Sequence, residues 1–257
     1  MTKKDPLISV ITPSYNRSKY HNRLYECFIS QTYPQKELRI LDDSPEPSIF
    51  FTNLKDTRIH YTHSSTRQTI GEKRNYLLNE AKGEIIAHFD DDDFYTPSYL
   101  RFMTNQLDSS QALVKLVSWF IYDEEHQTFS YWDTTHLSPF HFIVQANCPL
   151  KVVKGQGEFD HDFILDTLWG FGFSYVYHRS IYPDITFEPQ DNFGEDLHFI
   201  QKIKKAELPC RAILDTEGLA LHVIHRSNIS RVFPQFLLPS FIIEKSFSEL
   251  LKIKLYL

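Results

Sequence analysis

The chain has 257 residues, of which 42% are hydrophobic and 23% charged, so it can form a globular core and is not a disordered protein. Its formal net charge of −6 argues against a nucleic-acid partner, and three widely spaced cysteines match neither a zinc site nor a disulfide framework. Because we recognise no signal peptide and no apolar run of transmembrane length, we expect a cytoplasmic protein that is soluble or peripheral to a membrane.

Predicted strands and helices alternate in the first 100 residues. Runs of β-branched and other apolar residues predict strands, whereas apolar residues at helical spacing predict helices. The strands span residues 7–12, 37–41, 58–62 and 84–89, and the helices span residues 19–31 and 69–81. Because the strands are apolar on both faces, we predict an α/β protein with a mostly parallel central sheet that helices cover on both sides.

The rest of the chain has a less regular pattern. A helix is predicted from Ser98 to about residue 108, and a short one follows Glu195 and Asp196. Predicted strands lie at 113–122, 129–132, 174–178, 212–214 and 219–225. The first two of these should pair antiparallel across the acidic turn at residues 123–125, and the last two should complete the central sheet. The pattern assigns no element to residues 136–172.

Four consecutive aspartates, Asp90 to Asp93, follow directly on the fourth predicted strand. Adjacent carboxylates repel one another, and a bound cation would relieve that repulsion. Carboxylate oxygens are ligands for hard divalent cations such as Mg²⁺, Mn²⁺ or Ca²⁺. Since ligands of open α/β sheets bind beyond the carboxyl ends of the strands, the position favours a metal that holds an anionic group. A solvated acidic turn is the alternative.

Two cations, Lys73 and Arg74, lie on the predicted helix that precedes this strand. Together with a metal at the aspartates they would suit a diphosphate, whose charge the metal would stabilise as the leaving group departs. Taken alone, the two cations are better explained as part of a solvated helix face.

Five motifs follow one another in the order found in GT-A fold glycosyltransferases of family 2, which the chain resembles from Ile8 to Leu100. They are Thr12-Pro13-Ser14-Tyr15-Asn16-Arg17, Asp42-Asp43-Ser44, Gly71-Glu72-Lys73-Arg74-Asn75, Ala81-Lys82-Gly83-Glu84-Ile85-Ile86 and an Asp-x-Asp sequence that alignment through Pro97 places at Asp90 and Asp92. The chain departs from the family in two places: the glycine expected after Asp43 is missing, and Lys73 replaces an alanine.

The resemblance implies one domain with the GT-A (Rossmann-like) three-layer α/β/α sandwich. Residues 1–100 would bind a nucleotide-sugar, residues 101–232 would bind the acceptor, and residues 233–257 would form a C-terminal tail. The implied activity is metal-dependent transfer of a sugar from a UDP-, GDP- or TDP-sugar to a hydroxyl of a saccharide or glycolipid acceptor, with inversion at the anomeric carbon.

Site residues carried over from the family fall into donor, metal, catalytic and acceptor sets. The implied donor-binding residues are Pro13, Tyr15, Arg17, Asp42, Asp43, Arg74, Asp90 and Asp91. Asp92 would bind Mn²⁺ or Mg²⁺ with Asp90 near the ribose, and the alternation of a strand would turn Asp91 and Asp93 to the other side or into supporting positions. His225 is implied as a further metal ligand, with His222 or a structural histidine as the alternatives.

Asp196 is the implied general base, since an acceptor hydroxyl is a weak nucleophile until its proton is removed. Glu195 would be its neighbour in the acceptor site, and the face of Trp169 would stack on the acceptor sugar. A second polar cluster, Asp160 to Asp162, would line the acceptor site or lie in an exposed loop. An acid pair at a helix N-terminus and a core tryptophan are the plainer explanations of these features.

The apolar C-terminal tail carries several lysines. It would either lie on a membrane surface near a lipid-linked acceptor or pack on its own domain or a second subunit, and the second arrangement is the commoner one. Two other functions stay open for the whole chain. One is a sugar-nucleotide nucleotidyltransferase, which normally has a glycine-rich loop after its first strand, and the other is a non-catalytic nucleotide- or sugar-binding module.

Overall fold

The structure, a computed structural model, describes residues 5–155, 166–228, 230–242 and 247. The polar cluster at Asp160 to Asp162 and most of the predicted tail, residues 243–246 and 248–257, lie outside the described residues. The chain divides into two compact units. Unit 1 takes residues 1–92, 97–115 and 170–212, and unit 2 takes residues 93–96, 116–169 and 213–257. In the part that the structure describes, no helix is long and apolar enough to cross a bilayer.

The strands are numbered in chain order. They are β1 (Ile8–Ser14), β2 (Lys36–Asp42), β3 (Ile59–His63), β4 (Ile85–His88), β5 (Phe94–Tyr95), β6 (Leu113–Leu116), β7 (Ser118–Asp123), β8 (Thr128–Asp133), β9 (Phe140–Gln145), β10 (Lys151–Lys154), β11 (Val176–His178), β12 (Cys210–Ile213), β13 (Ala220–Ile224), β14 (Arg231–Val232) and β15 (Phe236–Leu238). The helices are α1 (His21–Ser30), α2 (Ile49–Asn53), α3 (Ile70–Glu80), α4 (Tyr99–Gln106) and α5 (Glu195–Lys205). Residues 166–169 are also helical.

Unit 1 is built on a seven-stranded sheet with the order β12-β6-β11-β4-β1-β2-β3. The strand β1 runs parallel to β2 and β4, and β2 runs parallel to β3. The strand β11 is antiparallel to both β4 and β6. The predicted parallel core of the first 100 residues is therefore present, and β11 is added antiparallel on its β4 side.

The register of the parallel strands brings their loops to one edge of the sheet. Ser14 at the end of β1 pairs with Asp42 at the end of β2, and Asp42 pairs with His63 at the end of β3. The strand β4 ends at His88, just before the aspartates. The three loops that carry the predicted donor residues consequently start from the same carboxyl edge, where open α/β sheets bind ligands.

The helix α3 owes its start to a capping box. The Thr69 hydroxyl accepts from the Glu72 amide, and the Glu72 carboxylate accepts from the Thr69 amide. A Cβ atom on Gly71 would lie 1.9 Å from the Glu188 carbonyl oxygen, so only glycine lets the helix approach residue 188 this closely. The first turn of α3 thus packs directly against the segment that leads to Glu195.

Unit 2 contains a five-stranded sheet with the order β15-β8-β7-β13-β5 and a three-stranded sheet with the order β10-β9-β14. The predicted hairpin across the acidic turn is present, since β7 and β8 pair antiparallel. The predicted strand at 113–122 is wrong as a single element, because Val117 separates β6 of the seven-stranded sheet from β7. The prediction that 219–225 completes the central sheet is also wrong, because β13 pairs with β5 and β7. A continuous apolar run cannot show where a buried chain changes sheets.

Candidate active site

The loop after β1 contacts the segment formed by Asp90 to Asp93, here the aspartate turn. The Ser14 hydroxyl donates to Asp91 Oδ2 at 2.6 Å, and Arg17 Nε lies 3.7 Å from Asp91 Oδ1. Arg17 Nη2 lies 3.5 Å from Asp92 Oδ2, and Arg23 Nη1 donates to the Asp92 carbonyl at 2.9 Å. Burial and the neighbouring Asp92 charge raise the pKa of Asp91 to about 8. The predicted donor residues Arg17 and Asp91 therefore contact each other.

The two aspartates at the end of β2, Asp42 and Asp43, already accept hydrogen bonds from protein groups. Asp43 is buried; its Oδ1 accepts from Lys73 Nζ at 2.8 Å, and its Oδ2 accepts from the Gln68 amide at 2.7 Å. Burial alone would raise the pKa of Asp43, but these hydrogen bonds lower it overall. Asp42 accepts from the Ser44 amide at 3.0 Å and from the Tyr61 hydroxyl at 2.8 Å. Both carboxylates shape the loop in which they lie.

Tyr15 offers an aromatic surface next to this loop. It is 36% exposed, and the guanidinium carbon of Arg67 lies 3.5 Å from the centre of its ring. Arg67 also pairs with Asp43. Pro13, in β1, lies two residues before Tyr15 and pairs in register with Leu41 of β2. A stacked arginine and tyrosine form a flat cationic surface that suits an aromatic ring or an anion.

The aspartate turn is the place where the structure groups possible metal ligands. Each of Asp90, Asp92 and Asp93 offers a carboxylate oxygen, and these oxygens lie within 4.8 Å of one another. Hard oxygen donors at such spacing fit Mg²⁺ or Mn²⁺. The alternation of a strand does not extend to Asp93, because β4 ends at His88 and residues 91–92 form a turn. Asp93 also accepts from His222 Nδ1 at 2.9 Å and from the Val223 amide at 2.9 Å.

Arg74 lies between the two acids at the start of α5. Its side chain is only 4% exposed, and its Nη2 lies 3.3 Å from Glu195 Oε1. Its Nη1 lies 3.1 Å from Asp196 Oδ1 and also contacts Nδ1 of the buried His88. The predicted donor residue Arg74 is thus brought together with the predicted catalytic residue Asp196.

One guanidinium faces two carboxylates, so the two acids compete for a single positive charge. The Glu195 side chain is 8% exposed and that of Asp196 is 19% exposed. Burial and the Asp196 charge raise the pKa of Glu195 to about 7, although Arg74 opposes the shift. The raised pKa therefore belongs to Glu195, the more buried acid of the pair.

This shift makes stability depend on pH. The free energy of unfolding should fall as pH rises from about 4.5 to about 7, because folded Glu195 keeps a proton that it loses on unfolding. Glu195→Gln should reduce this fall by an amount on the order of 1 kcal/mol, measured by urea unfolding at both ends of the range. The exposed Glu80→Gln at the end of α3 is the control. An unchanged pH dependence in Glu195→Gln would contradict the assignment.

His88 connects the arginine to the sheet. It is buried; its Nε2 lies 3.1 Å from the Tyr177 hydroxyl, and its Nδ1 lies 3.0 Å from the Gly172 carbonyl oxygen. Burial and the Arg74 charge hold the pKa of His88 well below its usual range. The imidazole stands two residues before Asp90, and it therefore ties the Arg74 group to the strand that carries the aspartates.

Asp196 is also held from a second direction. The Gly172 amide donates to its Oδ2 at 2.8 Å, and the Tyr175 hydroxyl donates to its backbone carbonyl at 3.2 Å. Upstream, Asn75 of α3 makes two hydrogen bonds of 2.9 Å with the backbone of Phe187. The Gly-x-x-x-Asn part of the α3 motif therefore fixes the chain segment that ends in the acid pair.

Two predicted residues belong to unit 2. Trp169 is half-buried in the helical residues 166–169. His225 is buried just after β13; its amide donates to Asn228 Oδ1 at 2.7 Å, and its Nδ1 lies 3.0 Å from the Ser227 hydroxyl. The metal role of His225 and the acceptor role of Trp169 stay predictions.

Sequence reasoning missed several residues of this region. Arg67 and His88 are isolated polar residues in a loop and an apolar run, and nothing in their spacing marks them. Ser14 lies inside the first motif, but the family resemblance assigns it no role. Lys115, which donates to the Gly170 carbonyl oxygen, lies inside a predicted strand. Gly172 lies in a segment to which the pattern assigns no element. For Lys115 and His88 the sequence offers one signal, a polar side chain inside an apolar strand. Such a residue indicates a buried polar contact, because a buried lysine or histidine needs a partner.

The chain is similar to known glycosyltransferases. The family model described as glycosyl transferase family 2 matches residues 9–174. Glycosyltransferase GlyG of Streptococcus pneumoniae serotype 4 is 29% identical over 133 residues, which make up 50% of this chain and 44% of GlyG. The chain spans less than half the length of the curated relatives it matches.

Two solved structures share the architecture. S. aureus TarS 1–349 in complex with UDP-GlcNAc matches with a TM-score of 0.61 and 17% identity, over 84% of this chain and 58% of that one. Mannosyltransferase PcManGT from Pyrobaculum calidifontis, in complex with GDP-Man and Mn²⁺, matches with a TM-score of 0.59 and 16% identity, over 86% of this chain and 57% of that one. The predicted fold is confirmed: the chain has the GT-A fold and belongs to glycosyl transferase family 2.

Proposed function

We propose that the chain is a metal-dependent inverting glycosyltransferase that moves a sugar from a nucleotide-sugar to an acceptor hydroxyl. The observation that carries this proposal is the contact of Arg74 with Asp196 and with His88. The Arg74 contacts join Asp196, a partly exposed acid suited to take a proton, to β4, the strand that precedes the aspartate turn. A donor held at the turn would then lie near a base.

The donor would bind at the carboxyl edge of the parallel strands. Its base would stack on Tyr15 beside Arg67, whose guanidinium already lies on that ring. Asp43 pairs with Arg67 of this surface. Because protein donors already occupy the carboxylate oxygens of Asp42 and Asp43, these two residues would support the loop and would not contact the base directly. Arg17, which is ion-paired with Asp91 and Asp92, lies where a diphosphate would need a positive charge. The complexes of TarS with UDP-GlcNAc and of PcManGT with GDP-Man support a nucleotide-sugar as the donor.

Asp90 and Asp92 would hold the divalent cation, with Asp93 beside them. When bound, Mn²⁺ or Mg²⁺ would neutralise the charge that develops on the leaving diphosphate. Without a cation, Arg17 offsets part of the negative charge of the aspartates, and Asp91 accepts a hydrogen bond from the Ser14 hydroxyl. The Mn²⁺ in the PcManGT complex supports this assignment.

Asp196 would act as general base. As the acceptor oxygen attacks the anomeric carbon, its proton passes to the Asp196 carboxylate while the bond from that carbon to the diphosphate breaks. One displacement of this kind inverts the configuration. Glu195 lies beside the base and shares Arg74 with it, so it would line the acceptor side.

Donor binding tests this proposal directly. UDP, GDP, TDP and CMP should be screened by thermal shift with MnCl₂, where a ligand at about 100 times its Kd stabilises the fold by about 2.7 kcal/mol. We expect at least one nucleotide to stabilise the protein, and EDTA or Asp92→Asn to remove that effect, because the cation bridges protein and diphosphate.

The matched control is Asp108→Asn, which removes a carboxylate that is ion-paired with Arg211 in the same unit. It should leave the nucleotide-induced shift unchanged. Equal stabilisation of wild type and Asp92→Asn, with and without Mn²⁺, would show that donor binding does not use a metal at this turn. Mn²⁺-dependent binding without transfer to any acceptor would instead favour a binding module.

A further inference from the structure

The turn formed by Gly170, Phe171 and Gly172, here the 170–172 turn, lies directly against the Asp196 carboxylate. Phe171 has a φ of 57°, a left-handed conformation that is uncommon for a non-glycine residue. It directs the Gly172 amide at Asp196 Oδ2, which accepts at 2.8 Å. A Cβ atom on Gly172 would lie 2.1 Å from Asp196 Oδ1, so only glycine allows this approach.

The 170–172 turn is anchored by a buried lysine. Lys115 of β6 has no exposed surface, and its ammonium donates to the Gly170 carbonyl oxygen. Its Nζ also lies 5.8 Å from the centre of the Tyr175 ring, and the Tyr175 hydroxyl donates to the Asp196 carbonyl. Both of these lysine contacts thus lead, through one further hydrogen bond, to Asp196.

A fully buried ammonium is costly, and an apolar side chain would fill the same strand position at lower cost. The charged groups that act on Lys115 are Asp196, which favours the ammonium, and Lys204 of α5, which opposes it. Burial is the larger effect and lowers the pKa of Lys115 to about 7. The proposed mechanism gives Lys115 no contact with donor or acceptor, so its presence calls for another explanation.

We propose that Lys115 is a positioning residue for transfer: it fixes the 170–172 turn, and the Gly172 amide then holds the Asp196 carboxylate in one orientation. This inference rests on the proposed role of Asp196 as the base. Arg74 forms an ion pair with Oδ1 of Asp196, and the Gly172 amide donates a hydrogen bond to Oδ2, so both oxygens of the carboxylate are held. Its remaining lone pairs then point in a fixed direction, which proton transfer requires.

The test is Lys115→Met in the full chain, with Lys36→Met as the matched control. Lys36 is also buried in unit 1, and its ammonium also donates to one backbone carbonyl, that of Gln31. We expect Lys115→Met to lower kcat about 10- to 100-fold while the Kd of the stabilising nucleoside diphosphate with Mn²⁺ changes less than about twofold. Lys36→Met should keep kcat, whatever it does to Tm.

Gly172→Ala is the second variant, and it tests the turn if Lys115→Met does not fold. Its added methyl group would displace the carboxylate, so kcat should fall while the nucleotide Kd is retained. Normal kcat in either folded variant, or an equal loss of kcat in Lys36→Met, would overturn the inference. Asp196→Asn separates this result from the proposed function: if Asp196→Asn transfers normally, the base assignment fails, whereas an inactive Asp196→Asn beside a normal Lys115→Met refutes only the role of Lys115.

Discussion

Asp196→Asn should lower kcat for sugar transfer by about 10²- to 10⁴-fold, the range that general base catalysis contributes. Asparagine keeps the size of the side chain but cannot take the acceptor proton. Its amide oxygen can still accept from the Gly172 amide, so the fold around the 170–172 turn should survive. The nucleotide Kd should stay within about twofold of the wild-type value, because the substitution removes an interaction made only in the transition state. Transfer assays and calorimetric titration with the nucleoside diphosphate and Mn²⁺ measure both quantities.

The matched control for this substitution is Asp191→Asn, which lies five residues upstream in the same segment. The Asp191 carboxylate pairs with His198, whose side chain is 50% exposed. Removing that charge should leave kcat within about twofold of wild type, since solvent screens the pair on the side of the half-exposed His198. Near-normal transfer by Asp196→Asn would mean that another group takes the acceptor proton.

Arg74→Met should cost about 3–5 kcal/mol in the free energy of unfolding, because it leaves the buried Glu195 and the partly buried Asp196 without their cation. The guanidinium now lies within 3.3 Å of Glu195 and 3.1 Å of Asp196. The loss should be smaller at acidic pH, where Glu195 is protonated and no longer needs the charge. Urea unfolding at neutral and acidic pH measures the difference.

Arg58→Met is the appropriate comparison for this loss. Arg58 pairs with Asp56 in unit 1, but its side chain is 45% exposed. Water screens such a pair, so its removal should change the free energy of unfolding by about 1 kcal/mol or less. If the two arginine variants lost equal stability, the buried position of Arg74 would not matter and the explanation of the acid pair would be wrong.

The sequence predicts the parallel half of unit 1 well, because each of its strands is a short apolar run that ends in a polar loop. The motif residues Tyr15, Asp43 and Asp92 were identified through the family resemblance that these loops carry. The chain after residue 100 was harder to predict. A run such as 113–122 is apolar throughout, and periodicity carries no information about which sheet each part joins.

Partners of charged residues were the other feature that the sequence could not supply. Arg74 was predicted on the donor side, while it forms ion pairs with Glu195 and Asp196, 121 and 122 residues away along the chain. Lys115 and His88 stand out only as polar residues inside apolar strands, and their contacts with Gly170 and Gly172 could not be predicted, because those glycines come from a segment without a recognisable pattern. Pair contacts between distant segments depend on the tertiary fold, which local propensity does not encode.

The position of β11 limits how the protein can be divided. Residues 1–100 read as a self-contained nucleotide module, yet β4 pairs with β1 on one side and with β11, residues 176–178, on the other. A fragment cut near residue 100 would leave the backbone amides and carbonyls of β4 as an open sheet edge, which invites aggregation. Chimeras that exchange donor specificity should therefore carry residues 170–212 together with the N-terminal segment, or keep both from the same parent.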